Sequence, residues 1–208
     1  DKTNGSAKSV NYVMYTATPY ANFLNEATED SLYPKDFIWT LKTSDEYIGP
    51  NQIFGFNDPE KADGIDIVRA IKDDDLNRII GLYEGTDNEL PETMKDAIAW
   101  FLCAVATMRN RNYKKPISML VHTSQKQVFH DKVANAISDW INVTDKKTIL
   151  SRCKEVYIRE TSRISKEKWI EQFPSYGVSS NEIDDYLSFD EILPEINELV
   201  AEPIRHIK

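Results

Sequence analysis

At 208 residues the chain is long enough for one well-buried core, or for a core with an appended subdomain. Its 41% hydrophobic and 28% charged residues suit an ordinary globular protein, and no apolar run approaches the ~18 residues of a membrane span. A formal net charge of −9 argues against a dedicated nucleic-acid-binding domain, whose affinity comes mostly from neutralising phosphates.

Taken in chain order, residues 1–9 are small, polar and unpatterned, and Val10 to Tyr15 is a dense β-branched and aromatic run that reads as a buried strand. It stops at Thr16-Ala17-Thr18-Pro19, because Pro19 has no N–H for a ladder and pushes Thr18 into an extended conformation. Asp36 to Leu41 is a second strand candidate. From Thr43 to Gly64 the composition turns to Gly, Pro, Asn and Asp without periodicity, the mark of a functional loop or a boundary between lobes. Ile65 to Ile71 reads as a short strand, and Asp73-Asp74-Asp75 as a turn before a helix from Leu76 to Tyr83.

Pro91 opens the clearest helix, 91–109, with Met94, Ala97, Ile98, Phe101, Leu102, Val105 and Met108 on one side. Ile117 to Val121 follows as the best strand in the chain. Ser124 with Gln127 matches a capping box for a helix that buries Phe129, Val133, Ala136, Ile137, Trp140 and Ile141. Strand, tight turn and capped helix in that order predict a β-α unit of an α/β domain. Beyond Thr144, itself a capping candidate, every pattern is helical. Ile149, Leu150, Cys153, Val156 and Tyr157 form one stripe, and a capping box of Ser188 with Glu191 precedes Ile192, Ile196, Leu199 and Val200.

Cys103 and Cys153 each sit on an apolar helical face and read as buried free thiols. Two cysteines are too few for a zinc ribbon or finger, and suit a reducing cytoplasm. The chain has no GxxxxGK[ST] loop, no GxGxxG, and no HExxH, GxSxG or CxxC. Of three histidines, His122 and His130 are eight apart, near neighbours on one face if helical order runs through both, but two imidazoles fall short of a metal site. Arg109, Arg111, Lys114 and Lys115 form a basic knot, and Lys146 to Lys168 is also rich in Lys and Arg; such a stretch is either a solvated face or a phosphate contact. Carboxylates suited to a nuclease magnesium site are scattered, with Asp36, Asp58 and Asp66 as the candidates. The hydroxyls of Thr16 and Thr18 would lie at a strand's carboxyl end, where α/β folds place their sites.

Longer motifs give a family resemblance. Tyr12-Val13-Met14-Tyr15-Thr16-Ala17-Thr18-Pro19-Tyr20-Ala21-Asn22-Phe23, then Leu32-Tyr33-Pro34-Lys35-Asp36-Phe37-Ile38, Tyr47-Ile48-Gly49 with Phe54-Gly55, and Met119-Leu120-Val121-His122-Thr123-Ser124 stand in order. Over residues 10–142 this series resembles the Z-one endonuclease-domain family, the C-terminal part of superfamily-two helicase-like ATPases linked to restriction and phage-defence systems. The resemblance implies an α/β fold, a RecA-like parallel sheet fragment with helices on its faces, plus an all-helical C-terminal subdomain. It divides the chain into 1–42, closing a first RecA-like lobe; 43–90, an irregular connection; 91–142, the start of a second lobe; and 143–208, the helical subdomain. Because the chain opens on Asp1 and is still helical in pattern at Lys208, a longer parent is expected, with its phosphate loop upstream and its arginine-finger element downstream.

The resemblance implies a coupling module of an ATP-dependent DNA translocase, with Thr16, Thr18, Asn22, His122, Ser124 and His130 as coupling residues. Arg109, Arg111, Lys114 and Lys115 would touch DNA. ATP and magnesium would serve the parent rather than this segment, and DNA and a restriction or nuclease subunit would be its partners, in the cytoplasm. The competing readings are a metal-dependent DNA endonuclease and an acidic scaffold for a nuclease subunit.

Overall fold

Apolar residues that recur every three or four positions form helices wherever the computed structural model describes them. It describes residues 11–18, 37–42, 44, 47, 49–55, 64, 66–172 and 184–201. They belong to two compact units, Asp1–Ser44 and Asp45–Lys208. In the first, the described residues carry neither helix nor strand.

The second unit contains α1 (Pro50–Phe54), α2 (Asp73–Glu84), α3 (Glu92–Asn110), α4 (Gln127–Val143), α5 (Lys146–Arg163), α6 (Lys166–Gln172) and α7 (Phe189–Ala201). α3 packs against both α5 and α7, α5 also meets α7, and α2 lies along α4. Because α3 is flanked by two helices, its most buried residues are a small stripe at i, i+4 and i+7. Ala99, Cys103 and Ala106 are all fully buried. Ile149 and Val156 of α5 and Ile192 and Ile196 of α7 close on the same core, each burial contributing about 1.5–3 kcal/mol.

The helix ends follow local chemistry. Asp73, Asp74 and Asp75 place negative charge at the positive end of α2, and Gly85, at φ 77°, closes it in the left-handed region. Asp145 caps α5 by accepting from the Thr148 N–H at 3.0 Å. Thr144, the residue expected to cap, instead ends α4 through its own N–H to the Trp140 carbonyl. At α7 the expected capping box forms: the Ser188 N–H donates to Glu191 Oε2 at 2.7 Å, and the Glu191 N–H to Ser188 Oγ at 3.3 Å.

The RecA-like parallel sheet does not form. No strand occurs among the described residues, which are helical or irregular, and this overturns the α/β expectation. The described parts of all four expected strands, 11–15, 37–41, 66–71 and 117–121, are without ladder partners. A strand exists only where a neighbour about 4.8 Å away takes its N–H and C=O groups. β-branched composition alone does not supply that neighbour. Leu120, within the run 117–121 that reads as the best strand, is 88% exposed.

Candidate functional site

The C-terminus of α3 builds a basic site. Asn112 adopts φ 61°, a conformation that Asn tolerates better than most residues. Its N–H donates to the Arg109 carbonyl at 2.8 Å and that of Tyr113 to the Met108 carbonyl at 2.9 Å, the paired bonds of a Schellman turn. The chain therefore reverses, and residues 112–117 fold back beside Val105 and Arg109 to line an open concavity of about 620 Å³. Arg109, Lys114 and Lys115 all line it, and no carboxylate does.

Arg109 is also distinguished by what it lacks. Among the described residues, Arg69, Arg78, Arg111, Arg152, Arg159 and Arg163 each pair with a carboxylate, and Arg109, Lys114 and Lys115 do not. The helix end carries partial negative charge, worth about 0.3–1 kcal/mol against an anion. Each cation within ~4 Å of a phosphate contributes about 1 kcal/mol in water, so three exposed cations outweigh the dipole. The arrangement suits an anion with an apolar or aromatic portion.

The second constellation surrounds the start of α4. His122 and His130 meet with ring centroids 5.3 Å apart and planes at 81°. His130 Nε2 lies against the Ser124 carbonyl oxygen, an arrangement that requires the proton on Nε2. Ser124 does not cap the helix as expected. Its Oγ accepts the Lys126 N–H at 3.2 Å, and the N-cap position falls two residues later, on Lys126, without a side-chain bond. The turn is pinned to α2: the Tyr83 hydroxyl donates to the Thr123 carbonyl at 2.8 Å, and its ring stacks on Phe129 at 4.4 Å. Lys132 Nζ closes the junction by donating to the Tyr83 carbonyl at 2.7 Å. His122, Ser124 and His130 are thus brought together at a junction in which His122 remains exposed.

A comparison with protein families matches the Z1 domain over residues 93–207, more than half of the 208-residue chain. The chain belongs to the Z1 domain family. No curated protein and no solved structure matches it. The matched span begins inside α3 and takes in the basic groove, the histidine junction and the helices beyond, so the tail after residue 142 lies within the Z1 domain.

Other expected site residues are placed differently. Arg111 leaves the groove: its guanidinium donates to the Asp185 carbonyl at 2.8 Å and pairs with the Asp184 carboxylate at 3.4 Å, tying down the approach to α7. In the first unit, before the matched Z1 span, the Thr18 N–H donates to Thr16 Oγ1 at 3.1 Å, a local turn bond. Asn22, Asp36 and Asp58 lie outside the described residues. Asp66 accepts from Arg163 at 2.7 and 2.9 Å, an ion pair rather than an open metal ligand. Among the described residues no three His, Cys, Asp or Glu side chains converge as a metal site would require, and no helix is long and apolar enough to cross a membrane.

Two structural roles in and beside the Z1 span escaped sequence reasoning. Asp75, in α2, caps α3 across the turn: its two oxygens accept the Glu92 N–H at 3.0 Å and the Thr93 N–H at 3.2 Å. The Pro91 that precedes them has no side-chain acceptor, and that absence was the available signal. The other is a ladder of ion pairs along α5, in which Arg152 reaches Glu92 and Asp96, Arg159 reaches Asp96 and Glu160, and Arg69 reaches Glu160. A hydrogen bond from Lys95, against some burial, and further bonds from Arg152 hold the Glu92 carboxyl below its usual range. Burial pushes Glu160 up, but hydrogen bonds from Arg69 and Arg159 bring it below its usual range on balance.

Proposed function

We propose that this Z1 domain chain is a DNA-engaging, non-catalytic module of an endonuclease-type system, acting within a longer protein that hydrolyses ATP to move along DNA. One observation carries the reading: the groove of Arg109, Lys114 and Lys115, free of carboxylates in a chain of net charge −9 and lying within the matched span. Family membership supports the association with endonucleases. On this reading ATP and magnesium are used elsewhere in the longer protein, since the sequence has no phosphate loop to wrap a triphosphate. The nuclease activity belongs to a restriction or nuclease subunit, and the system works in the cytoplasm. Thr16, Thr18 and Asn22, with the His122–Ser124–His130 junction, transmit the motor's state to the DNA-contacting groove.

The test is DNA-stimulated ATP hydrolysis by the full-length protein carrying Lys114→Ala with Lys115→Ala. The DNA concentration for half-stimulation is expected to rise roughly tenfold, about 1.4 kcal/mol, with hydrolysis in the absence of DNA unchanged. Unaltered stimulation would remove the groove from the mechanism. Magnesium-dependent nicking of plasmid by the 208-residue chain itself would put a metal-dependent endonuclease in place of this reading.

A further inference from the structure

We infer that the groove at the end of α3 holds single-stranded rather than duplex nucleic acid, one base lying against the Tyr113 ring and its flanking phosphates against Arg109, Lys114 and Lys115. The inference rests on the DNA-engaging reading above and narrows it. Tyr113 lines the concavity between Asn112 and Lys114 and keeps 40% of its surface exposed, the state of an aromatic ring with a face to offer. Its backbone is fixed by the N–H bond to Met108, so the ring is presented from an ordered turn. Val105 and Ile117 supply an apolar floor beside the cations.

Size and charge distribution favour the single strand. A space of about 620 Å³ is in the range that takes a small-molecule-sized unit such as one nucleotide. Duplex readers place a helix or ribbon in the major groove and spread their phosphate contacts along it. Here the cations come from one helical turn and an adjacent dipeptide, and they line the same concavity as an aromatic ring. Aromatic stacking with a short basic track is how single strands are held without sequence preference, because every base has a face to stack and only an unpaired one can present it. The chain's net negative charge opposes binding only weakly at working salt, since exposed charges beyond about 8–10 Å are largely screened.

The experiment is fluorescence anisotropy of the 208-residue chain with a labelled oligothymidine of roughly ten nucleotides, its duplex, and an abasic strand of equal length, at several salt concentrations. The expected result is tightest binding to the single strand, with log K falling against log salt at a slope of about −2, the value for three phosphate contacts. Tyr113→Ala should weaken it about tenfold without changing that slope, Tyr113→Phe should preserve it, and the abasic strand should bind the parent chain as weakly as the intact strand binds Tyr113→Ala. Lys114→Ala should lower the slope by about 0.7. Circular dichroism of each variant establishes the helical fold. Equal binding of duplex or abasic strand, or a silent Tyr113→Ala, overturns the single-strand inference and leaves the DNA-engaging reading in place. Displacement of the probe by inorganic phosphate at matched ionic strength assigns the groove to a free anion and overturns the inference. Binding to none of the oligonucleotides overturns both.

Discussion

Asp75 is the charged side chain that the described core buries, at 5% exposure, and its position explains how a helix with a proline at its N-cap is held. Its two oxygens take the first free N–H groups of α3, and its negative charge faces that helix's positive end. Asp75→Ala leaves the Glu92 and Thr93 N–H groups without a protein partner, and is expected to cost about 2–3 kcal/mol. Asp75→Asn keeps one good acceptor and should cost roughly half of that. Urea titration followed by circular dichroism measures both. A loss below about 0.5 kcal/mol for Asp75→Ala would show that water replaces the cap. The cysteines illustrate the opposite case of a polar group that is quiet. Cys103 Sγ donates to the Cys153 carbonyl at 3.5 Å, and the bonding to Cys153 together with burial pushes the Cys103 thiol far up. Fully buried, both behave as small apolar residues, consistent with the sequence reading of free thiols.

Among the elements, α7 carries a defect that its packing tolerates. Pro194 lies inside the helix, so the Asp190 carbonyl has no N–H partner there and must avoid the proline ring. The helix persists because Ile192 and Ile196, on either side of the proline, are fully buried. The proline itself is exposed, so little packing is lost on replacement. Pro194→Ala is expected to stabilise the protein by about 2 kcal/mol, or to raise Tm by ~4–8 °C in a thermal scan. A lower Tm would show that the proline sets a bend on which the seating of α7 against α3 depends. The same reasoning applies in reverse to residues 117–121, whose composition favours a strand but whose backbone has no neighbour to pair with.

At the scale of the whole second unit, the ion ladder from Asp66 and Arg69 through α5 to Glu92 joins segments distant in sequence. Exposed pairs of this kind are worth about 0–1 kcal/mol each, so the apolar core of α3, α5 and α7 carries the fold and the ladder tunes it. Glu92 and Glu160 both have folded values below the unfolded ones. Between the two values the unfolded chain binds more protons, so stability rises with pH there. The contribution is fully present above the unfolded value of about 4.3 and is lost as pH falls through the folded one. The urea midpoint should therefore hold from pH 7 to about 5.5 and fall below about 4.5. A fall between pH 7 and 5.5 would show that groups other than these two carboxylates set the pH dependence.

The sequence by itself determined the helices from residue 76 onward, although Asp73, Asp74 and Asp75 are helical rather than a turn, together with the capping box at α7, the buried cysteines and the family, whose matched span holds only the Met119–Ser124 motif of the ordered series. Each of these depends on spacing within one segment or on ordered motifs, and local periodicity reports them directly. It also located the basic residues, but not their separation into a groove of Arg109, Lys114 and Lys115 and a strut made by Arg111. That separation depends on the left-handed turn at Asn112 and on where residues 184–185 pass, which no local pattern records. The sheet was misread for a related reason: an apolar, β-branched run states a preference, whereas a strand requires a partner contributed from elsewhere. The stripe expected on α3 favoured its large residues, yet the structure buries Ala99, Cys103 and Ala106 most deeply, because two helices close on that side and only small side chains fit between them. Tertiary structure decided these points because each is a relation between segments, and its free energy exists only once both are in place.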